Sequence, residues 1–322
     1  MSYELTRAQP LDAEVRRVVA EQLDEAMAGL RDSRDGEDEH ALHDAVHEAR
    51  KSCKRLRALA RLVRGHFDGY SRENARYRDA ARLLSDVRDT TAVIETYDDL
   101  IAEPFAAQID DERSAAIREV LSQRRVELTE DLDVDERVTR FLGALQAGRA
   151  AVDEWTLDPD ALEGSGWAAI APGLAKTYRR AQRRMADAYD DPSTEAFHQW
   201  RKRTKYHRYH LELLMPMWPD VLDEREDACD DLGDLLGDDH DLAVLRGLIE
   251  QERHRFDDAD ARLLVGLLDH RRGELQARAR PLGARLFAED VDAFVERMGA
   301  YWEAWQEDRP SDLSAPIATA AG

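Results

Sequence analysis

Lysine is scarce in this 322-residue chain: Lys51, Lys54, Lys176, Lys202 and Lys205 are the five, so arginine supplies the other 41 of 46 basic residues. Cysteine is scarcer still. Cys53 and Cys229 have no metal-ligand spacing and read as two buried thiols in a reducing compartment. Gly (17) and Pro (10) are few, which excludes collagen-like and low-complexity classes, and 43% apolar residues suffice for a real core. No apolar run approaches a membrane span, and the opening "MSYELTRAQPLDAEVRR" holds no signal-peptide core. The expectation is a soluble cytoplasmic protein with no membrane partner. Alternating β-branched runs are missing too, so a sheet is not expected.

Acid is abundant. Sixty-eight Asp and Glu against 46 Lys and Arg give a net charge of −22, which argues against duplex DNA as a partner. A Lys-poor, acid-rich composition fits a high-salt cytoplasm, where charge is screened, and fits a GC-rich genome equally well.

Ala, Leu, Arg and Glu dominate, with apolar residues at spacings of three and four, so the chain reads as all-α. Helix breaks are expected at 32–38, 65–71, 102–105, 158–167, 189–194, 216–220, 256–260 and 279–283. Asp191-Pro192 suits a helix start, and residues 309–322 read as a disordered tail. The sequence also repeats itself. His47, Arg50, Lys51, Lys54 and Arg57 align with His198, Arg201, Lys202, Lys205 and Arg208 at one offset, 198 − 47 = 151. Downstream, "LLSDVRDTTAVI" aligns with "LLGDDHDLAVL", pairing Asp89 with Asp241, and "QRRVEL" aligns with "HRRGEL". This order predicts two four-helix bundles related by an internal pseudo-twofold duplication. The first spans 1–157 and the second 166–308, ahead of the tail at 309–322.

The repeated helix carries the chemistry. Leu42, Val46, Ala49, Cys53, Leu56, Ala60 and Val63 form an apolar seam. His47, Arg50, Lys54, Arg57, Arg61 and Arg64 each follow a seam position, so they flank it about 100° round the helix. In the second copy Phe197, Trp200, Thr204, His207, Leu211 and Leu214 make the seam, weakened by its Thr and His. A charged row beside a seam is ordinarily a solvated face or a salt-bridge ladder. Here the ladder's acids are missing: no Asp or Glu falls between 49 and 64, or between 196 and 211. Four of the five lysines also sit in two matched pairs. Such rows need an anion or another helix's acids to neutralise them, and two rows facing each other would line a long positive cleft suited to closely spaced phosphates.

These residues resemble the CHAD family, the α-helical domains named for conserved histidines. "HQWRKRTKYHRYHLELL" (198–214) is similar to its His-x-x-Arg-Lys-x-x-Lys-x-x-Arg-Tyr helix, "LGDLLGDDHDLAVL" (232–245) to its Leu-Gly-x-x-x-Asp-Leu helix, and "HEARKSCKRLRA" (47–58) to the first-half version. The likeness spans about residues 10–305. It implies two four-helix bundles with a basic groove between them, and non-catalytic binding of inorganic polyphosphate, including at polyphosphate granules. The Glu-x-Glu-x-Lys signature of a fused triphosphatase is absent, so a stand-alone binding module without a cofactor is expected. One departure is that Asp230 and Asp234 stand where the first half has Arg78 and Arg82.

Arg50, Lys54, Arg57, Arg201, Lys205 and Arg208 are the first candidates for phosphate contact, with Lys51 and Lys202 at the rim and His47 and His198 as further donors. Asp89 and Asp241 are candidate acids behind the arginines, or simple helix-end charges. Arg16, Arg17, Arg124, Arg179, Arg180 and Arg271 are secondary candidates. Two other functions compete. Asp44-x-x-His47 and Glu195-x-x-His198 could hold metal in a di-metal bundle enzyme, and "DDHD" (238–241) suggests a metal phosphohydrolase. Against both, Arg and Lys follow each His within a turn, and His240 aligns with Arg88 rather than a His. The other competitor is a scaffold whose basic rows dock an acidic partner protein.

Overall fold

The computed structural model describes residues 3–34, 39–102, 105, 108–130 and 133–308, with backbone alone for 39–40, 86–91 and 129–130. The tail at 309–322 lies outside the described residues. The fold is all-α, and no strand occurs among the described residues. Six α-helices precede residue 157: α1 (Leu11–Arg34), α2 (Glu39–Leu62), α3 (Tyr70–Leu83), α4 (Ser85–Ala102), α5 (Asp111–Glu130) and α6 (Val134–Ala150). Five follow it: α7 (Trp167–Asp190), α8 (Thr194–Leu214), α9 (Pro219–Gln251), α10 (Asp258–Leu286) and α11 (Val291–Glu307). The expected count was four in each half. The chain from Tyr70 to Ala102, broken once at Leu84, runs parallel in sequence to the single 33-residue α9.

Local chemistry explains most boundaries. Side chains of Asp133, Ser193, Asp257 and Asp290 accept from backbone N–H groups in the first turns of α6, α8, α10 and α11. The cap of α8 is Ser193, not Asp191, which instead closes α7. Helix α10 also runs straight through the break expected at 279–283, with Pro281 inside it. Proline removes one backbone bond there, but the turn is held from outside. Gly283 lies flat on Trp200, and the Leu286 carbonyl accepts from Tyr178 (3.2 Å) and Arg225 (2.8 Å).

The seams are buried as the periodicity predicts. Val46, Ala49, Cys53, Leu56, Ala60 and Val63 of the first row are closed from solvent, as are Phe197, Trp200, Thr204, His207, Leu211 and Leu214 of the second. They join one large core that mixes both halves of the chain. A second core packs α4 and α5 against the later part of α9 and the earlier part of α10 (Tyr97, Ile117 and Leu121 with Leu245, Leu264 and Leu268), again from both halves. The cores therefore do not divide at 157–166.

Helices α2 and α8 touch directly. Arg55 pairs with Glu212 at 3.0 Å, the Arg61 guanidinium lies 4.2 Å from the Tyr206 ring centre, and His210 Nε2 donates to the Ala58 carbonyl at 2.9 Å. Under the offset of 151, positions 55 and 61 correspond to 206 and 212. The first two contacts thus join the same two positions of the aligned segments. Helix α7 seals the joint: a Cβ on Gly173 would fall 1.8 Å from the Leu62 carbonyl oxygen, so only glycine permits this approach.

Candidate anion-binding site

The row on α8 faces α9. Gly233 and Gly237 leave room there: Lys205 Cε lies 3.6 Å from the Cβ position of Gly233, and Arg201 Nη2 lies 3.4 Å from that of Gly237. His198 stacks on His240 with ring centres 4.2 Å apart. Lys205 is pushed down to about 8, first by burial and then by Arg201, against the pull of Asp234 and Asp230. Among the described residues Arg201 has no carboxylate within ion-pair distance, and its Nε is buried without a hydrogen-bond partner. Arg208 differs from the rest of the row. Glu226 and Asp230 bind its guanidinium and Glu212 stands 3.6 Å away, so acids already occupy this expected phosphate contact.

At the other end of the contact the cations are left together. Arg57 reaches the Asn74 side chain at 3.3 Å and lies 5.9 Å from the Tyr206 ring, while Arg61 is buried on the same ring. Lys202 on α8 is depressed by burial, against Glu195, and then by Arg203, Arg57 and Arg201, so a charge of the α2 row acts on it. Arg57 is likewise lowered by burial and by Arg61 and Arg78. Arg50 and Lys54 are half-buried after seam residues Ala49 and Cys53, and His47 is exposed. Lys51 sits 3.5 Å from Glu48.

The secondary candidates separate on their partners. Arg16 pairs with Asp12 (2.8 Å) and donates to the Trp155 carbonyl, and Arg17 is clamped by Glu14, Glu21 and the Glu4 carbonyl. These bonds tie the N-terminal segment to α1. Arg124 pairs with Glu252 at 2.7 Å, Arg179 with Asp292 at 3.7 Å, and Arg271 with Glu274 at 2.9 Å. Arg180 differs from them in having no ion pair among the described residues. The Asp89 side chain lies outside those described. Asp241 does not back the α8 arginines: it lines a pocket of ≈ 240 Å³ with Glu95, Asp99, Asp238 and Arg271. The buried acid Asp239, two residues before it, instead holds Arg272 of α10 at 3.0 Å. Among the described residues no three His, Cys, Asp or Glu side chains cluster closely enough to hold a metal ion.

A CHAD-domain family model matches residues 10–250. The chain belongs to the CHAD family. No curated protein sequence matches it. In fold it is similar to PptA from Streptomyces chartreusis, with 16% identity, a TM-score of 0.61, and coverage of 87% of this chain and 100% of that one. No helix among the described residues is long and apolar enough to cross a membrane.

Within this CHAD chain, the motif row is only part of the cationic surface. Arg203 and Tyr206 escaped the pattern because neither recurs in kind at the repeat offset: position 52 is Ser and position 55 is Arg. His240 aligns with Arg88 and stood out only as a candidate metal ligand. The motif histidine also has an acid-sensitive setting. Burial lowers His198 and His240 to about 4 each, and His210, enclosed beneath Ala58, to about 3. Histidine ordinarily titrates near 6.5, so below that pH the unfolded chain takes up protons that the folded chain refuses. Stability from these groups is present above pH 6.5 and is lost as pH falls toward 4 and below. The urea midpoint is expected to drop on acidification from pH 7 to about 5, and His210→Gln, which keeps an N–H for Ala58, should shrink that drop. An unchanged acid response in His210→Gln would count against the assignment.

Proposed function

We propose that this CHAD chain binds inorganic polyphosphate, or a polyanion of the same chemistry, without chemical turnover, along the basic rows of α2 and α8. One observation carries this. In a chain of net charge −22, Arg57 of α2 and Arg201, Lys202, Arg203 and Lys205 of α8 have no carboxylate within ion-pair distance among the described residues. Like charges held together on half-buried helices cost stability unless an anion joins them. Closely spaced phosphoryl oxygens suit both guanidinium forks and ammonium heads, and need no base recognition. We read the two rows as copies of one duplicated unit, with the groove between them. The protein would then act in the cytoplasm, at polyphosphate granules where these form.

Calorimetric titration with long-chain polyphosphate tests this. Affinity of about micromolar or tighter is expected, falling steeply between about 50 and 200 mM salt as counterions are released. It should weaken further as pH rises through about 8, where Lys205 loses its proton. Incubation with polyphosphate and Mg²⁺ or Mn²⁺ should leave chain length unchanged. Metal-dependent shortening would make the protein an enzyme, and binding of an acidic protein partner without any binding of polyphosphate would make it a scaffold.

A further inference from the structure

The cationic surface is lopsided. Arg61 at the end of α2, Arg64 in the turn that follows it, Arg180 of α7 and Arg203 of α8 converge beside the groove. Arg61 is buried on Tyr206, and Arg64 Nη2 reaches the Gly173 carbonyl at 3.5 Å. The Nε atoms of Arg64 and Arg203 are buried with no hydrogen-bond partner. Among the described residues no carboxylate lies within ion-pair distance of any of the four, and the nearby Arg184 already holds Asp187 at 2.8 Å. Arg64 and Arg203 are both lowered, by burial first and then by Arg180 and Arg61, so each feels the same two neighbours.

The positions that correspond across the repeat offset are neutral or acidic. Glu212 stands for Arg61, Met215 for Arg64 and Ser52 for Arg203. At that end Arg208 is saturated by Glu226 and Asp230, whose first-half counterparts at an offset of 152 are Asn74 and Arg78. Positive charge therefore rises along the groove toward α7 and falls toward the Glu212 side.

We propose that Arg61, Arg64, Arg180 and Arg203 form a terminal-phosphate site, found on one side of the molecule only, that grips the end of a polyphosphate chain. This rests on the polyphosphate reading above. The chemistry follows from charge: an internal phosphate carries one negative charge, whereas a terminal phosphate titrates a second time near pH 6 and carries close to two at neutral pH. The end of the chain is thus its most anionic group, and four guanidiniums with no carboxylate partner among the described residues are its best match.

The test uses the full chain and three probes: tripolyphosphate, long polyphosphate, and long polyphosphate whose terminal groups are capped as amine phosphoramidates. Arg64→Met with Arg203→Ser installs what the other half carries. Wild type is expected to bind tripolyphosphate at least about tenfold more tightly than this variant, and to bind capped chains about tenfold more weakly than uncapped ones; the variant should not distinguish the two. Thermal unfolding guards against misfolding. The variant without ligand should melt at or above the wild-type temperature, because like charges have been removed, and tripolyphosphate should raise the melting temperature of wild type alone. Equal tripolyphosphate affinity in a folded variant, or indifference of wild type to capping, overturns the terminal site while leaving polyphosphate binding standing. Wild type that binds tripolyphosphate through these arginines but no long chain overturns the polyphosphate reading instead.

Discussion

Arg57→Glu with Lys202→Glu is expected to weaken long-chain polyphosphate binding by about a hundredfold or more. These residues belong to different helices and different halves of the chain, yet Lys202 feels the charge of Arg57. Neither has an ion pair to lose: Arg57 holds only the Asn74 amide oxygen, and Lys202 has only the distant pull of Glu195. A charge-assisted contact to phosphate contributes about 1.5–3 kcal/mol, so two lost contacts amount to about two factors of ten or more, before the new repulsion is added. The slope of log affinity against log salt should shallow in the same titrations, because fewer counterions are displaced. Lys51→Glu is the matched control. Lys51 already sits beside Glu48 at the rim and is expected to change affinity little. If the double reversal binds as tightly as wild type while Lys54→Glu with Lys205→Glu does not, the ligand passes along the separate rows and avoids their meeting point.

The second large effect is on folding. Gly173→Ala should destabilise the protein by about 3 kcal/mol, the upper part of the range for overpacking a tight site. The obstacle is the Leu62 carbonyl at 1.8 Å, with Arg61 O at 2.5 Å, and neither backbone atom can rotate aside as a side chain could. Relief requires α7 to lift from the end of α2. That would carry Arg180 away from Arg64, so anion affinity should fall together with the urea midpoint. Gly143→Ala, inside α6 with nothing within 4 Å, should instead be neutral or stabilising by up to about 1 kcal/mol. Equal urea midpoints for the two alanine variants would show that the α2–α7 contact is looser than the structure places it.

The pattern of seven and three-four spacings was enough to place the buried faces. Val46 through Val63 and Phe197 through Leu214 lie where the periodicity puts them, and the basic residues follow one step round. That works because helical period is a property of one segment, and burial on one side follows from it. Even the weak points of the second seam, Thr204 and His207, are closed in, with His207 ringed by Tyr178, Phe287 and Phe294. The break at Leu84 and the continuity through Pro281 were not legible. The first has no glycine or proline to announce it, and the second depends on Trp200 and Tyr178 arriving from other helices.

By itself, then, the sequence determined an all-helical chain, its two seams, its two acid-free basic rows and its CHAD membership. Tertiary structure alone decided which cations keep their charge uncompensated. Arg208 and Arg57 occupy the same place in the repeat, yet Glu226 and Asp230 reach one while Asn74 and Arg78 stand beside the other. It also decided that Arg203, with no basic counterpart at the repeat offset, joins arginines from α2 and α7, and that both cores draw on both halves. The physical reason is range. A residue's face on its helix is set within a turn or two, but its electrostatic partners come from helices that cross it, and a crossing is fixed only when close contacts such as Gly173 on Leu62 and Gly283 on Trp200 lock the packing.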